Sequence, residues 1–116
     1  MNSFILKTSS SYGAVAMLET LIKSGCITFN RLDLKVRSHV TDSKNIEDWP
    51  VIFTCKSDID SNREFKIYIQ MLTCGYGGTG PNDLIKVIKM TGFDNFISAD
   101  EIYTNKVIDR SFDKKN

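Results

Sequence analysis

Residues 75–80 read Gly75-Tyr76-Gly77-Gly78-Thr79-Gly80, and Pro81-Asn82-Asp83 follows, so four of the chain's seven glycines fall in six positions. Glycine has no Cβ, so the backbone can turn tightly and its N–H groups can approach a guest. The loop stands between a run that alternates like a strand and a run that repeats like a helix. At a helix start the first N–H groups lack internal acceptors, and the dipole favours negative charge. These residues therefore have the chemistry of an anion or phosphate cradle.

Three phosphate motifs can be compared with the loop. Gly75 and Gly80 have Walker spacing, but Pro81-Asn82 stands where Lys-Ser/Thr is required, so the phosphate ammonium and the magnesium hydroxyl are both missing. Gly75, Gly77 and Gly80 match the dinucleotide fingerprint Gly-x-Gly-x-x-Gly, and Asp100 lies about 20 residues on, where a ribose-binding acid would stand. Against that reading, the strand leading in alternates polar and apolar, while a central parallel strand should be apolar throughout. No clear buried strand follows to close a βαβ unit, and 116 residues leave no room for a substrate domain. The third form is a looser backbone nest at a helix start. There Tyr76 could stack on a base, and Asn82 could bond a base edge or ribose. Arg63, Arg31, Arg37 or Arg110 could add a bidentate phosphate contact. The competing structural reading is that Gly-Gly-Thr-Gly-Pro simply joins a strand to a helix.

Other reactive side chains assemble into nothing comparable. His39 is the sole histidine, and its neighbours form no triad or metal set; a solvent-facing strand end accounts for it. Asp58, Asp60 and Glu64 lack the glycine and terminal glutamate of a calcium loop. Asp100 and Glu101 suit a first helical turn. Cys26, Cys55 and Cys74 are odd in number, have no Cys-x-x-Cys spacing and sit in or beside apolar runs, so they read as small buried hydrophobes in a reducing compartment. No catalytic residue, metal site or cofactor is expected.

A net charge of +1 argues against binding a nucleic-acid polymer or an acidic membrane through bulk electrostatics. The amino terminus turns polar too soon for a signal peptide, and no apolar run is long enough to span a bilayer. A cytoplasmic protein of one domain, residues 1–116, is expected.

Several elements must position the loop. Ser9, Ser10 and Ser11 offer an N-cap, and Ala14, Met17, Leu18, Leu21 and Ile22 then repeat at helical spacing up to Gly25. Met17, Leu18 and Leu21 are expected to face the core. From Cys26 to Val40 the period is two, with a phase slip at Asn30-Arg31 that indicates a bulge or break. Residues 41–48 are a polar loop, and Trp49 before Pro50 should be extended. Val51, Phe53 and Cys55 give a second strand face, and residues 57–62 read as a turn. Phe65, Ile67, Ile69 and Met71 then alternate with Lys66, Tyr68 and Gln70. After the loop, Pro81 suits a first helical turn, Leu84, Ile85, Val87 and Ile88 form an apolar side, and Gly92 is a stop. Ser98-x-x-Glu101 has capping-box spacing. Val107-Ile108 could be a last strand or the end of that helix, and the tail from Asp113 should fray.

The expected fold is α+β: an antiparallel sheet of three or four strands with two or three helices packed on one face. The helix–strands–helix order resembles a double-stranded RNA-binding domain. That resemblance fails where such domains carry a lysine cluster, because Pro81-Asn82-Asp83-Leu84 stands there. In size, in its α+β layout and in carrying Gly75–Asn82 with Arg110 near the end, the chain resembles small phage proteins of the anti-Thoeris type. Those proteins sequester signalling nucleotides such as cyclic ADP-ribose isomers, and the resemblance implies an antagonist of bacterial defence signalling.

The expected function is non-enzymatic binding of a nucleotide-like, phosphate-bearing small molecule by Gly75, Tyr76, Gly77, Gly78, Thr79, Gly80, Asn82 and an arginine such as Arg110. A homo-oligomer is expected to complete so small a pocket. The alternative is a protein-interaction module of the inhibitor or immunity type. It would use the sheet's outer face or the 41–50 loop, with an exposed Trp49 as anchor and the glycine loop purely structural.

Overall fold

Strict alternation builds the centre of the molecule. The computed structural model describes residues 2–25, 27–40, 43–59 and 63–114. Three strands, Ile27–Arg37, Val51–Ser57 and Glu64–Ile69, form an antiparallel meander. Leu32, Leu34, Val36, Val51, Phe53, Cys55, Phe65, Ile67 and Ile69 all enter one buried cluster. The phase slip is a bulge: Phe29 stands opposite Cys55 while Arg31 stands opposite Thr54, leaving Asn30 as the extra residue. This returns both Phe29 and Leu32 to the same apolar face.

The sheet is larger than expected and of mixed sense. Asn2–Leu6 (β1) runs parallel to Glu64–Ile69 (β4), and Val107–Asp113 (β5) runs antiparallel to Ile27–Arg37 (β2). With Val51–Ser57 as β3, the order is β1-β4-β3-β2-β5. The expectation of three or four antiparallel strands is corrected on both counts. A five-residue strand is too short to display a period, and its partner lies far along the chain. Val107-Ile108 resolves as strand. Asp113 lies within β5 and the Lys114 N–H donates to Asn30 O at 3.0 Å, so fraying does not begin at Asp113; Lys115 and Asn116 lie outside the described residues.

Three helices cover one face and share its core. Helix α1, Ser11–Lys23, is capped by Ser10, whose hydroxyl accepts from Gly13 N–H at 3.1 Å, and it ends at Gly25 with φ 77°. Its inner stripe is Ala14, Val15 and Leu18, with Leu21 and Ile22 partly buried. Met17 was expected inside but is 42% exposed, because the stripe is centred on Leu18 and Val15 rather than on Met17. Helix α2, Thr79–Met90, buries Leu84, Val87 and Ile88, each contributing about 1.5–3 kcal/mol on burial. Gly92 at φ 83° turns the chain so that Phe93 enters the core. Helix α3, Ala99–Thr104, starts at the expected capping box: Glu101 N–H donates to Ser98 Oγ at 3.1 Å.

The opposite face carries a smaller apolar cluster of Trp49, Ile52 and Tyr68, edged by Ile46. Trp49 is extended, at φ −67° and ψ 150°, as a residue before proline should be. It is buried rather than exposed: its indole N–H donates to Ser43 O at 3.1 Å, and Tyr68 Oη donates to Glu47 Oε1 at 2.9 Å. The exposed-anchor role for Trp49 is therefore corrected. The segment lies over Ile52 and Tyr68 because both are large and point away from the helices. Thr41 and Asp42 of this loop lie outside the described residues. Among the described residues, no helix is long and apolar enough to cross a membrane.

Candidate functional site

The glycine loop leaves the end of β4 through Leu72, Thr73 and Cys74, all buried, and reaches α2 through Gly78. Two backbone bonds fix its start. Cys74 N–H donates to Arg37 O at 2.9 Å, and Gly75 N–H donates to Ile102 O at 2.8 Å. Gly75 has φ 84°, and a Cβ there would lie 2.8 Å from Lys106 Cα. This glycine is required by positive φ and by the close passage of the segment after α3.

Tyr76 folds back over the loop. Its hydroxyl shares a 2.8 Å hydrogen bond with Thr73 Oγ1 and lies beside Gly80, and its ring lies against Gly78. A Cβ at Gly78 would lie 2.7 Å from the ring, and one at Gly80 would overlap Thr73 Oγ1 outright. Packing therefore explains three of the four glycines. Gly77 is different, because a Cβ there would meet nothing within 4 Å and its φ is not positive.

Helix α2 begins without a side-chain cap. Gly78 is its N-cap in extended conformation, and Asn82 N–H is the amide that bonds back to Gly78 O, at 3.0 Å. Thr79 and Gly80 precede it, so their N–H groups have no intrahelical acceptor, and Pro81 has no N–H at all. Two backbone donors and the positive end of a twelve-residue helix thus open beside Gly77. Tyr103 of α3 reaches the same turn, its hydroxyl donating to Asn82 Oδ1. Tyr76 and Tyr103 remain 42% and 37% exposed, respectively.

Asp83 does not face this opening. It is 3% exposed, its Oδ2 accepts from Ser11 Oγ at the start of α1 at 2.6 Å, and Lys86 Nζ lies 3.8 Å from its Oδ1. The carboxylate joins α2 to α1.

The arginines divide clearly. Arg110 sits three residues into β5, roughly 10 Å along the strand from Val107. It is held there by Glu101 Oε2 at 2.5 Å and stacks 4.9 Å above Phe112. Arg31 pairs with Asp33 at 3.2 Å on the outer face. Arg63 helps line a cleft with Phe4, Leu21 and Phe65, beside β1. Arg37 is the one beside the loop, where its charge acts on the Cys74 thiol. Lys106 abuts Gly75 through its Cα and Cγ, so its side chain starts beside the loop. Sequence reasoning named Arg37 without preferring it and missed Thr73, Tyr103 and Lys106. No local signal places α3 beside the start of α2; the link is made by the capping box and the Gly75–Ile102 bond.

Four surface clefts lined by described residues lie elsewhere, and none takes a lining residue from 75–83. Both described thiols are unsuited to nucleophilic work. Burial pushes Cys55 up to about 12 against the lowering effect of Lys114, and burial likewise raises Cys74 against Arg37. Cys26 lies outside the described residues, as do Asp60 and the rest of the turn through Asn62. Of that acidic group, Asp58 accepts from Thr28 Oγ1 at 2.5 Å. His39 is exposed just beyond β2, as expected. Among the described residues, no group of three metal-ligating side chains occurs.

Comparison with protein-family models, with curated proteins and with solved structures gives no match.

Proposed function

We propose that this chain is a non-enzymatic binding protein that holds the phosphate of a nucleotide-like small molecule at the start of α2. The observation that carries this reading is the helix start itself: Gly78 provides no side-chain cap, and the backbone beside it opens to solvent at Gly77. The Thr79 and Gly80 N–H groups would bind phosphate oxygens, and the Thr79 hydroxyl would add a donor. Lys106 and Arg37 would supply the positive charge first assigned to Arg110. Tyr76 and Tyr103 would flank a base or ribose, with Asn82 between them. The reading concerns a free small molecule rather than a nucleic-acid polymer or a membrane. It extends to this chain the design of the small phage proteins that sequester defence nucleotides. A thermal-shift screen against mono-, di- and cyclic nucleotides tests it. At ten times its Kd a true ligand stabilises the fold by about 1.4 kcal/mol, or roughly 5 °C. No stabilisation by any of them would refute the reading.

A second reading is favoured by the packing of Gly75, Gly78 and Gly80, which gives each a structural reason to be glycine. In it the chain is a protein-interaction module and the loop only joins β4 to α2. Substitution of Gly77 would then leave every binding activity intact.

A further inference from the structure

The two edges of the sheet are built differently. β5 presents Asp109, Arg110 and Asp113, charges of the kind that discourage another strand from pairing. β1 presents none between Asn2 and Leu6, and hydrogen-bonds on one side only, to β4. Among the described residues its other side has no strand partner, and the apolar side chains of Phe4, Ile5 and Leu6 flank that edge. Phe4 is 44% exposed and packs edge-on against Phe65 on the helix side of the sheet. Ile5 is 48% exposed on the opposite side, in register with Tyr68. Met17 of α1 adds to the helix side, where a cleft of about 340 Å³ runs between Phe4, Leu6, Met17 and Leu21.

The geometry points to a second copy of this chain as the occupant of the β1 edge, paired antiparallel about a twofold axis at Phe4. That arrangement is self-complementary. Phe4 meets the other copy's Phe4 on the helix side, while Ile5 meets the other copy's Ser3 on the outer side, a large residue against a small one. No charge within the strand opposes it. The product is a continuous ten-stranded sheet. Phe4, Ile5 and Met17 from two copies remove roughly 500 Å² of apolar surface, well short of the 1,200 Å² or more of a stable complex, so the dimer is weak and concentration-dependent. The glycine loop belongs to the other side of the sheet, bonded to β2 and to the end of α3. Four strand spacings, roughly 19 Å, separate the two edges. The dimer therefore leaves each loop open instead of completing it, and the inference stands independently of the ligand reading.

Sedimentation velocity from about 1 to 300 μM, the range in which a weak interface populates, tests the pairing. The expected mass rises from 13.1 kDa toward twice that value. Ile5→Lys, at an exposed position, is expected to keep the thermal midpoint and weaken the dimer at least tenfold. Amide exchange at Ser3–Leu6 should slow with concentration in the unsubstituted protein, a readout that does not require the variant to fold. A monomer throughout the range, a dimer indifferent to Ile5→Lys in a folded variant, or exchange at Ser3–Leu6 that ignores concentration would each overturn it.

Discussion

The glycine loop at 75–80 and the Trp49 segment at 43–50 are both connections, and they close in opposite ways. The Trp49 segment closes by adding side chains: Trp49, Ile46, Ile52 and Tyr68 make a second small core on the outer face. The glycine loop closes by removing them: the Tyr76 ring and Thr73 occupy the space that Cβ atoms at Gly78 and Gly80 would need. In the Trp49 segment the N–H groups of Asn45, Glu47, Asp48 and Trp49 all find acceptors within the segment itself. In the glycine loop the Thr79 and Gly80 N–H groups have no intrahelical acceptor and no side-chain cap, and the proposed anion site rests on that difference.

The largest break in this comparison should come from Trp49→Ala. It empties the centre of the outer cluster and strands the Ser43 carbonyl, with an expected cost of about 3 kcal/mol in urea unfolding. Gly80→Ala should cost about 2 kcal/mol through overpacking against Thr73, and Thr73→Ala in the same chain should recover part of that loss.

Alkaline pH loads both regions at once. Burial raises Tyr68 under the Trp49 lid, with the Glu47 hydrogen bond and charge adding to it, and burial raises Cys74 at the mouth of the loop. Both groups hold their protons longer folded than unfolded. Their contribution is complete below the ordinary values of 9.0 and 10.0 and is lost as pH rises past them. Thermal midpoints should therefore fall above about pH 9, and Trp49→Ala should flatten the share due to Tyr68.

The smallest stability effect belongs to Gly77→Glu. Its Cβ enters open space, so the midpoint should stay within about 0.5 kcal/mol of the unsubstituted protein, while the added carboxylate repels phosphate. A large loss of stability would mean that the loop is closed throughout and has no open side.

Periodicity made the meander, its bulge and the three helices legible, because each buries a stripe or face that the residues themselves display. The edges were less legible: β1 gave no signal, and Val107-Ile108 read equally as a last strand or a helix end. β1 has five residues and a distant partner, and β5 carries Asp109, Arg110 and Ser111 between its two buried apolar residues, Ile108 and Phe112. At the site, glycine density located the loop and its place before α2. Which glycines serve packing depends on Tyr76, Thr73 and Lys106, whose positions are set by tertiary contacts. The same holds for Trp49, whose type alone fits an anchor and a lid equally well.

The central claim is that an anion binds the backbone where α2 begins. Titrating ¹⁵N-labelled protein with inorganic pyrophosphate, with backbone amides followed by NMR, tests it most directly. The account predicts saturable shifts concentrated at Gly77, Gly78, Thr79 and Gly80, and their loss in Gly77→Glu. Shifts confined to other basic positions such as Arg31 and Lys66 on the outer face, or none at all, would contradict it.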